Sequence, residues 1–190
     1  MKTAPTRRLF AYWNARRGTR LAPERGDIEP GAIRDILGDS FIISYDPAAE
    51  HPFRLAGTRV CSLFGRELKG EPFVRLWDEA SLGDIAKFTA TVADEATAFV
   101  AGVGARTAQG SPADLELLLL PLYHRGRTHV RLLGTLCPVT APYWFGAEHV
   151  GALSLGAIRH LGPMVERMTA PSLEAGRQRR GLTVYDGGRD

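Results

Sequence analysis

The stretch LELLLLPLYHRGRTHVRLLGTLCP, residues 115–138, decides the fold of this chain. Two β-rich runs flank the pair Arg125 and Gly126, and an X-Gly pair between such runs is typical of a two-residue hairpin turn. If these two residues form the turn, His124 lies opposite Arg127, and the pairing of the whole hairpin can be counted back from there. The sequence therefore predicts a long antiparallel hairpin in one register.

This register gives the hairpin two apolar faces. Successive side chains of a strand point to opposite sides, so Leu119 shares one face with Leu132, and Leu118 shares the other with Leu133. Neither face can be left in water without cost, because a patch of exposed leucines marks an interface or a covered surface. Both faces are therefore core, or the second face is the seam of a dimer.

A cover for the second face is available near the N-terminus. Residues 6–17 predict a short amphipathic helix that ends near Gly18. We expect its aromatic side to cover the second face, either on its own sheet or on that of a second subunit. The interface candidates are Leu9, Phe10, Trp13, Leu118, Leu120, Leu122 and Leu133.

The rest of the chain predicts an α+β fold. The pattern indicates strands over residues 41–45, 53–57 and 99–108, short helices over 30–37 and 58–64, and a longer helix over 81–95, capped by Ser81. With the hairpin, this makes a five-stranded antiparallel sheet with short helices on one face and an N-terminal amphipathic cap helix. After residue 138 prolines end the sheet, and Leu153, Leu155, Ile158 and Leu161 have a spacing that could support a helix.

Composition favours one globular domain in a reducing compartment. The 190 residues include 44% hydrophobic and 24% charged residues, with a formal net charge of +3, which suits a chain able to bury a core. Cys61 and Cys137 are too few for a disulfide framework. There is no export signal and no apolar run of membrane-spanning length, so we expect a cytoplasmic protein.

The first 25 residues are strongly basic, with seven Lys and Arg residues and Glu24 as their only acid. Such a segment could contact nucleic acid or an anionic membrane. We favour the solvated cationic side of an amphipathic cap helix as the explanation, and we expect neither nucleic acid nor membrane as a partner.

Three segments carry a resemblance to a known family: YWNARRG at residues 12–18, DIEPGAIRDIL at 27–37 and FRLAGTRVCSLFGRELKGEPF at 53–73, followed by Trp77. Together with the order of elements, they resemble a bacterial family of PAS-like domains over residues 9–139. The resemblance implies a basic N-terminal cap segment (residues 1–25), a PAS-like domain (26–140) and a partly flexible C-terminal extension (141–190).

The PAS resemblance also implies a ligand pocket between the inner face of the sheet and the short helices. Its candidates are Leu55, Cys61, Phe64, Phe73, Trp77, Phe88, Leu117, Leu119, Val130 and Leu132. The same residue types also line filled cores, so a dry core is the alternative.

No cofactor or metal is identified by the sequence. Cys61 stands in RVCSLFG rather than in the NCRFLQ-like motif of flavin-binding light sensors, and none of His51, His124, His129, His149 or His160 falls on the predicted pocket helix as a haem ligand would. The chain also lacks GxSxG, GxxxxGK[ST] and HExxH motifs. We therefore expect no catalytic residues and no metal site.

The expected function is that of a non-catalytic sensory or regulatory domain that binds a small ligand, a protein partner or both. We expect a homodimer that signals through a separate protein. The alternatives are a small-molecule enzyme without a recognisable motif and an adaptor that binds nucleic acid or membrane through the N-terminal helix.

Overall fold

A computed structural model of the chain describes residues 1–124 and 127–161, together with 178–179 and 182–183. Its helices are α1 (Ala4–Arg17), α2 (Thr58–Phe64) and α3 (Glu79–Glu95). Its strands are β1 (Ser40–Ser44), β2 (Phe53–Ala56), β3 (Ala98–Arg106), β4 (Pro112–His124), β5 (Arg127–Pro138), β6 (Ser154–Leu161), β7 (Gln178–Arg179) and β8 (Leu182–Thr183). Short 3₁₀ turns occupy Arg25–Asp27, Pro30–Ile33, Leu37–Asp39, Pro47–Ala49 and Val74–Leu76.

The main sheet has six antiparallel strands in the order β2-β1-β5-β4-β3-β6. The prediction of an antiparallel α+β fold with an N-terminal helix is confirmed, and the prediction of five strands is wrong by one. The sixth strand is β6, which pairs with β3 where the sequence suggested a helix. Strands β7 and β8 pair only with each other.

A bulge explains why β6 resembles a helix in the sequence. Between the pairs Ala101–Ile158 and Val103–Leu155 the register shifts, because β6 uses three residues where β3 uses two. An extra residue in one strand brings side chains three apart onto the same face. Leu155 and Ile158 both pack against the inner core, so their apparent helical spacing is a strand with a bulge.

The hairpin of β4 and β5 forms, but its register differs from the predicted one. His124 lies opposite Arg127 as expected, whereas Leu119 lies opposite Gly134 rather than Leu132. An irregularity between Leu122 and His124 shifts the pairing by two residues. Because side chains alternate with a period of two, a shift of two leaves the hairpin leucines on their predicted faces. Tyr123, within the irregularity, packs against the outer cluster. The turn residues themselves lie outside the described part of the chain.

Helices α1 and α3 each begin just after a residue whose side chain caps the helix. Thr3 caps α1, with its side chain accepting a hydrogen bond from the Thr6 backbone. Asp78 caps α3, not Ser81 as the sequence suggested, and its carboxylate accepts from the Ser81 backbone at 2.9 Å. The Ser81 hydroxyl instead accepts from the Leu155 backbone at 2.9 Å, which fixes α3 against β6.

The sheet separates two apolar clusters. The inner cluster lies between the sheet and helices α2 and α3, and the outer cluster lies between the sheet, α1 and the 3₁₀ turns of residues 25–39. Hairpin leucines contribute to both, with Leu117 and Leu119 inward and Leu118 and Leu120 outward, all four fully buried. The fold is thus a sheet covered on both faces.

Candidate functional site

The inner face of the sheet is closed by packed aromatic rings. The rings of Phe41, Phe53 and Phe73 lie 5.5 to 5.8 Å apart, and Trp77 meets Phe73 at 5.8 Å. Such separations are those of rings in direct contact. The indole Nε1 of Trp77 is buried without a hydrogen-bond partner among the described residues, so this region holds one unused donor within an apolar environment.

Most of the predicted pocket residues lie around these rings. Seven of the predicted pocket residues are buried members of the inner cluster: Cys61, Phe64, Phe73, Trp77, Leu117, Leu119 and Leu132. Phe88 is half-buried and packs on Phe99 at 5.4 Å and on His160 at 5.7 Å. Val130 is half-buried in the irregular part of the hairpin.

The predicted inward position of Leu55 is wrong. Between the pairs Ile42–Leu55 and Ile43–Phe53 the register shifts, and Arg54 is the extra residue of β2. Phe53 therefore faces inward, while Leu55 faces outward beside Ile42 and is 46% exposed. Strict alternation would place Phe53 and Leu55 on the same face, and the bulge places them on opposite faces.

Helix α1 of the same chain covers the outer face. Leu9 and Trp13 are buried against Leu118, Leu120, Leu122 and Leu133, and Phe10 is half-buried beside them. The Trp13 indole nitrogen donates to the Pro121 carbonyl at 2.9 Å. The predicted interface residues are thus gathered in one place, where their apolar surface is occupied within a single chain.

A buried carboxylate fastens the N-terminus of α1 to the sheet. The Glu116 carboxylate on β4 accepts hydrogen bonds from the Lys2 backbone at 2.6 Å, from the Thr3 backbone at 3.0 Å and from the Thr3 hydroxyl at 3.0 Å. An anion is favoured at the start of a helix, where free N–H groups and the helix dipole meet. The sequence analysis missed this role of Glu116, although a glutamate within a run of leucines is a visible signal.

Two groups in this region have shifted pKa values. Burial raises the pKa of Glu116, but the hydrogen bonds from Thr3, Lys2 and Thr6 outweigh it, so the pKa of the carboxyl lies below its ordinary value. Beside it, burial raises the pKa of the Cys137 thiol despite contacts with the Thr3 and Thr6 hydroxyls. Glu116 is therefore held charged and Cys137 is held as a thiol.

Three arginines of the N-terminal segment pair with acids from the chain itself. Arg8 pairs with Asp35 at 3.2 Å, Arg16 with Glu29 at 3.1 Å and Arg20 with Asp27 at 2.7 Å. These pairs are exposed and contribute little stability individually. They join part of the excess of arginines in the N-terminal segment to the acidic segment that follows.

The histidines and acids do not assemble a metal site in the described residues, where no group of three or more His, Cys, Asp or Glu side chains converges. His51 is buried, stacks on Tyr45 at 5.1 Å and accepts from the Asp46 backbone through Nδ1. Burial lowers the pKa of His51, although Asp46 opposes the shift. In the same part of the chain, no helix has the length and hydropathy needed to cross a membrane.

An open cavity lies on the outer face, beside the end of the sheet that α1 leaves uncovered. This outer groove has a volume of about 310 Å³. Its walls come from the 3₁₀ turns, β1, β2, β5 and the start of α2, and include Arg25, Ile28, Leu37, Ile42, Leu55 and Leu133. The sequence analysis did not predict it, because its walls come from segments that are distant along the chain.

Comparison with known proteins agrees with the architecture. A family model described as PAS domain matches residues 1–137. No curated protein matches the chain. The PAS domain of a protein from Colwellia psychrerythraea is 16% identical, with a TM-score of 0.41, covering 58% of this chain and 97% of that one. The PAS domain of an HTR-like protein from Haloarcula marismortui is 17% identical, with a TM-score of 0.39, covering 57% of this chain and 90% of that one.

The family match spans α1, the helices of the inner face and the sheet as far as β5. The segment after it also contributes to the apolar clusters, with Trp144 and Leu153 in the inner one and Leu161 against the outer one. The predicted resemblance is thereby confirmed. The chain belongs to the PAS domain family.

Proposed function

We propose that this chain is a non-catalytic sensory or regulatory module that binds a small ligand and contacts a separate signalling protein in the cytoplasm. Its family supports a sensory or regulatory role in general. The observation that favours it most is the attachment of α1, which lies across the sheet face opposite the inner cluster. A conformational change in the sheet would be transmitted directly to this helix.

The attachment of α1 is suited to a switch because its polar contacts with the sheet lie towards its two ends. Glu116 holds the first residues of the helix, the Thr6 hydroxyl contacts that of Thr135, and the Trp13 nitrogen bonds to Pro121 near the other end. Between Thr6 and Trp13 the contact includes the apolar side chain of Leu9. Release of the Glu116 contact would expose hairpin leucines, and exposed leucine patches bind other surfaces. The same exposure offers a route to a homodimer.

An enzymatic role has less support from the geometry. The inner cluster is made of apolar side chains and aromatic rings. The polar side chains at its margin are engaged with backbone groups, as Thr89 donates to the Ile85 carbonyl at 2.6 Å and Ser81 accepts from Leu155. General acid–base or nucleophilic catalysis needs titratable groups that converge on a substrate, whereas the buried members of this cluster in the described residues include one such group, the Cys61 thiol.

Thermal-shift screening of the full chain against haem, flavins and fatty acids tests the ligand-binding part. We expect at least one compound to raise the unfolding temperature and to change amide hydrogen exchange in residues 4–17. Sedimentation measurements with and without that compound report the oligomeric state. Stabilisation without any change in α1 or in association would contradict a regulatory role, and turnover of the compound would show an enzyme.

The protein-partner part is tested by co-purification from the native cells. The Glu116→Gln variant should change the amount of a specific partner that is recovered, because it loosens α1. Asp84→Asn serves as the matched control, since Asp84 is an exposed acid on α3. Equal recovery with both variants and the wild type would contradict a role of α1 in signalling.

A further inference from the structure

The outer groove combines an apolar interior with a concentration of positive charge. Its interior is lined by side chains such as Ile28, Ile33, Ile42, Leu55 and Leu133. Its volume of about 310 Å³ lies at the lower end of the range of small-molecule sites, roughly 300–1,000 Å³. Its apolar lining belongs mainly to the outer cluster, while Phe41 of the inner cluster and Thr58 at the start of α2 also line it.

One arginine lines this groove and two others stand beside its lining residues in β2 and β5, and we call Arg25, Arg54 and Arg131 the arginine cluster. Arg25 lines the groove itself. Residues 23 and 24 pair with Tyr123, which brings the next residue, Arg25, close to Arg131 because Leu122 and Arg131 are cross-strand partners. Arg131 lies on the same face of β5 as the groove residue Leu133, two positions away.

The third member, Arg54, is brought to the groove by the bulge in β2 and stands next to Leu55. Repulsion from Arg54 and Arg25 adds to burial in lowering the pKa of Arg131, which agrees with the short separation of the three groups. Like charges held together raise the free energy of the empty site, and a bound anion would relieve that repulsion.

Among the side chains that the structure describes in residues 1–124 and 130–161, no carboxylate neutralises the cluster, and none of its three guanidinium groups forms an ion pair or donates a side-chain hydrogen bond. The Nε atom of Arg25 is buried without an acceptor. A buried donor that lacks a partner has lost its hydrogen bonds to water without replacement, so an acceptor supplied by a ligand would be favoured at this position. By contrast, Arg8 and Arg16 of α1 have carboxylate partners.

We propose that the outer groove binds a single-chain amphiphile with a carboxylate head, of the class of medium-chain fatty acids. The alkyl chain occupies the apolar interior, and the carboxylate lies among the arginines of the cluster. Guanidinium groups match carboxylates in shape and charge, and the volume suits one chain rather than two. The inference deepens the proposed function, on which its regulatory consequence rests, by assigning a ligand class to the outer face.

Isothermal titration of the full chain with octanoate tests the inference, with 1-octanol and octyltrimethylammonium as ligands of equal chain length. We expect octanoate to bind, and both comparison ligands to bind at least about tenfold more weakly, since a lost charge-assisted hydrogen bond corresponds to at least that factor. Equal affinity for octanol would overturn the role of the arginines.

Variants locate the site. Arg25→Gln and Arg131→Gln should each weaken octanoate binding about tenfold, whereas Arg75→Gln, which removes an exposed arginine paired with Glu50 outside the groove, should leave the affinity unchanged. Leu55→Trp should fill the groove and abolish binding, and the exposure of Leu55 lets the fold survive. Unchanged affinity in Leu55→Trp, with unfolding curves like those of the wild type, would exclude the groove.

The two proposals fail in different ways. If octanoate does not bind while another compound stabilises the chain and alters exchange in α1, the fatty-acid site is wrong and the sensory role stands. If octanoate binds with the expected dependence on arginine but leaves α1, association and partner recovery unchanged, the site is correct and the regulatory role fails. A change of oligomeric state in Arg131→Gln without octanoate binding would identify the groove as a subunit interface and overturn the ligand site.

Discussion

The Glu116 carboxylate accepts hydrogen bonds from both the backbone nitrogen and the hydroxyl group of Thr3, at 3.0 Å each. The two residues are 113 positions apart, and both are buried. Their contact joins the start of α1 to the open end of the hairpin, where Glu116 lies opposite Cys137. It is the point at which the outer cover of the sheet is fixed.

Replacing Glu116 with Gln should loosen α1 and lower the stability of the chain. The change removes a charged acceptor from buried hydrogen bonds, each worth about 1.5–3 kcal/mol, and leaves a poorer acceptor in its place. We expect the free energy of unfolding to fall by about 1.5–3 kcal/mol, measured by urea denaturation. Asp84→Asn is the control and should change stability by less than about 0.5 kcal/mol. Equal effects of the two changes would contradict the role of Glu116.

The same contact predicts a pH dependence. The pKa of Glu116 is lowered in the folded chain relative to its ordinary value of 4.5, so the folded state favours the charged form. Its contribution is complete above about pH 4.5 and is lost as the pH falls through the lowered pKa. Unfolding free energies measured from pH 7 to pH 3 should decline less steeply in Glu116→Gln than in the wild type. Parallel curves would show that another group is responsible.

Gly134 should not tolerate a side chain. A Cβ there would lie 2.4 Å from Phe41 Cζ and 2.5 Å from the Leu118 carbonyl oxygen. Overpacking of this kind costs about 1–3 kcal/mol, so Gly134→Ala should lower the unfolding free energy by that amount. Gly104→Ala is the matched control on β3, where the nearest atom is 3.9 Å away. A stable Gly134→Ala chain would mean that the Phe41 ring can move aside.

The Cys137 thiol offers a reporter for detachment of α1. It is 2% exposed beneath the start of the helix, and burial raises its pKa, so few molecules present a reactive thiolate. In a Cys61→Ala background, we expect slow labelling by a thiol reagent and about tenfold faster labelling when Glu116→Gln is added, as expected for local opening made about 1.4 kcal/mol easier. Identical rates would indicate that Cys137 is reached by another route.

The fold was predictable where one local pattern repeats. The hairpin, the short helix α2 and the α1 helix follow from alternating or helical spacing of apolar residues and from capping residues next to them. The sixth strand was not predictable in this way, because the bulge in β6 gives Leu155 and Ile158 a helical spacing. The bulge at Arg54 also breaks the alternation of side chains, so the prediction placed Leu55 on the wrong face of β2.

The candidate sites were predictable only in part. The residues of the two apolar clusters could be nominated because burial follows hydrophobicity and face. The roles of Glu116 and of the arginine cluster could not, because they depend on where chain segments far apart in sequence come together. A glutamate within a run of leucines was the only local signal for the role of Glu116. No local pattern in the sequence indicated the arginine cluster.

The sequence by itself determined which face each hairpin leucine occupies. That assignment survived a two-residue error in register, because a shift of two preserves the alternation of side chains. Tertiary structure alone decided what lies over each face: Thr3 over Glu116, α1 over the outer leucines and three arginines beside an open groove. Alternation is a property of one strand, whereas these contacts join segments brought together only by the packing of the whole chain.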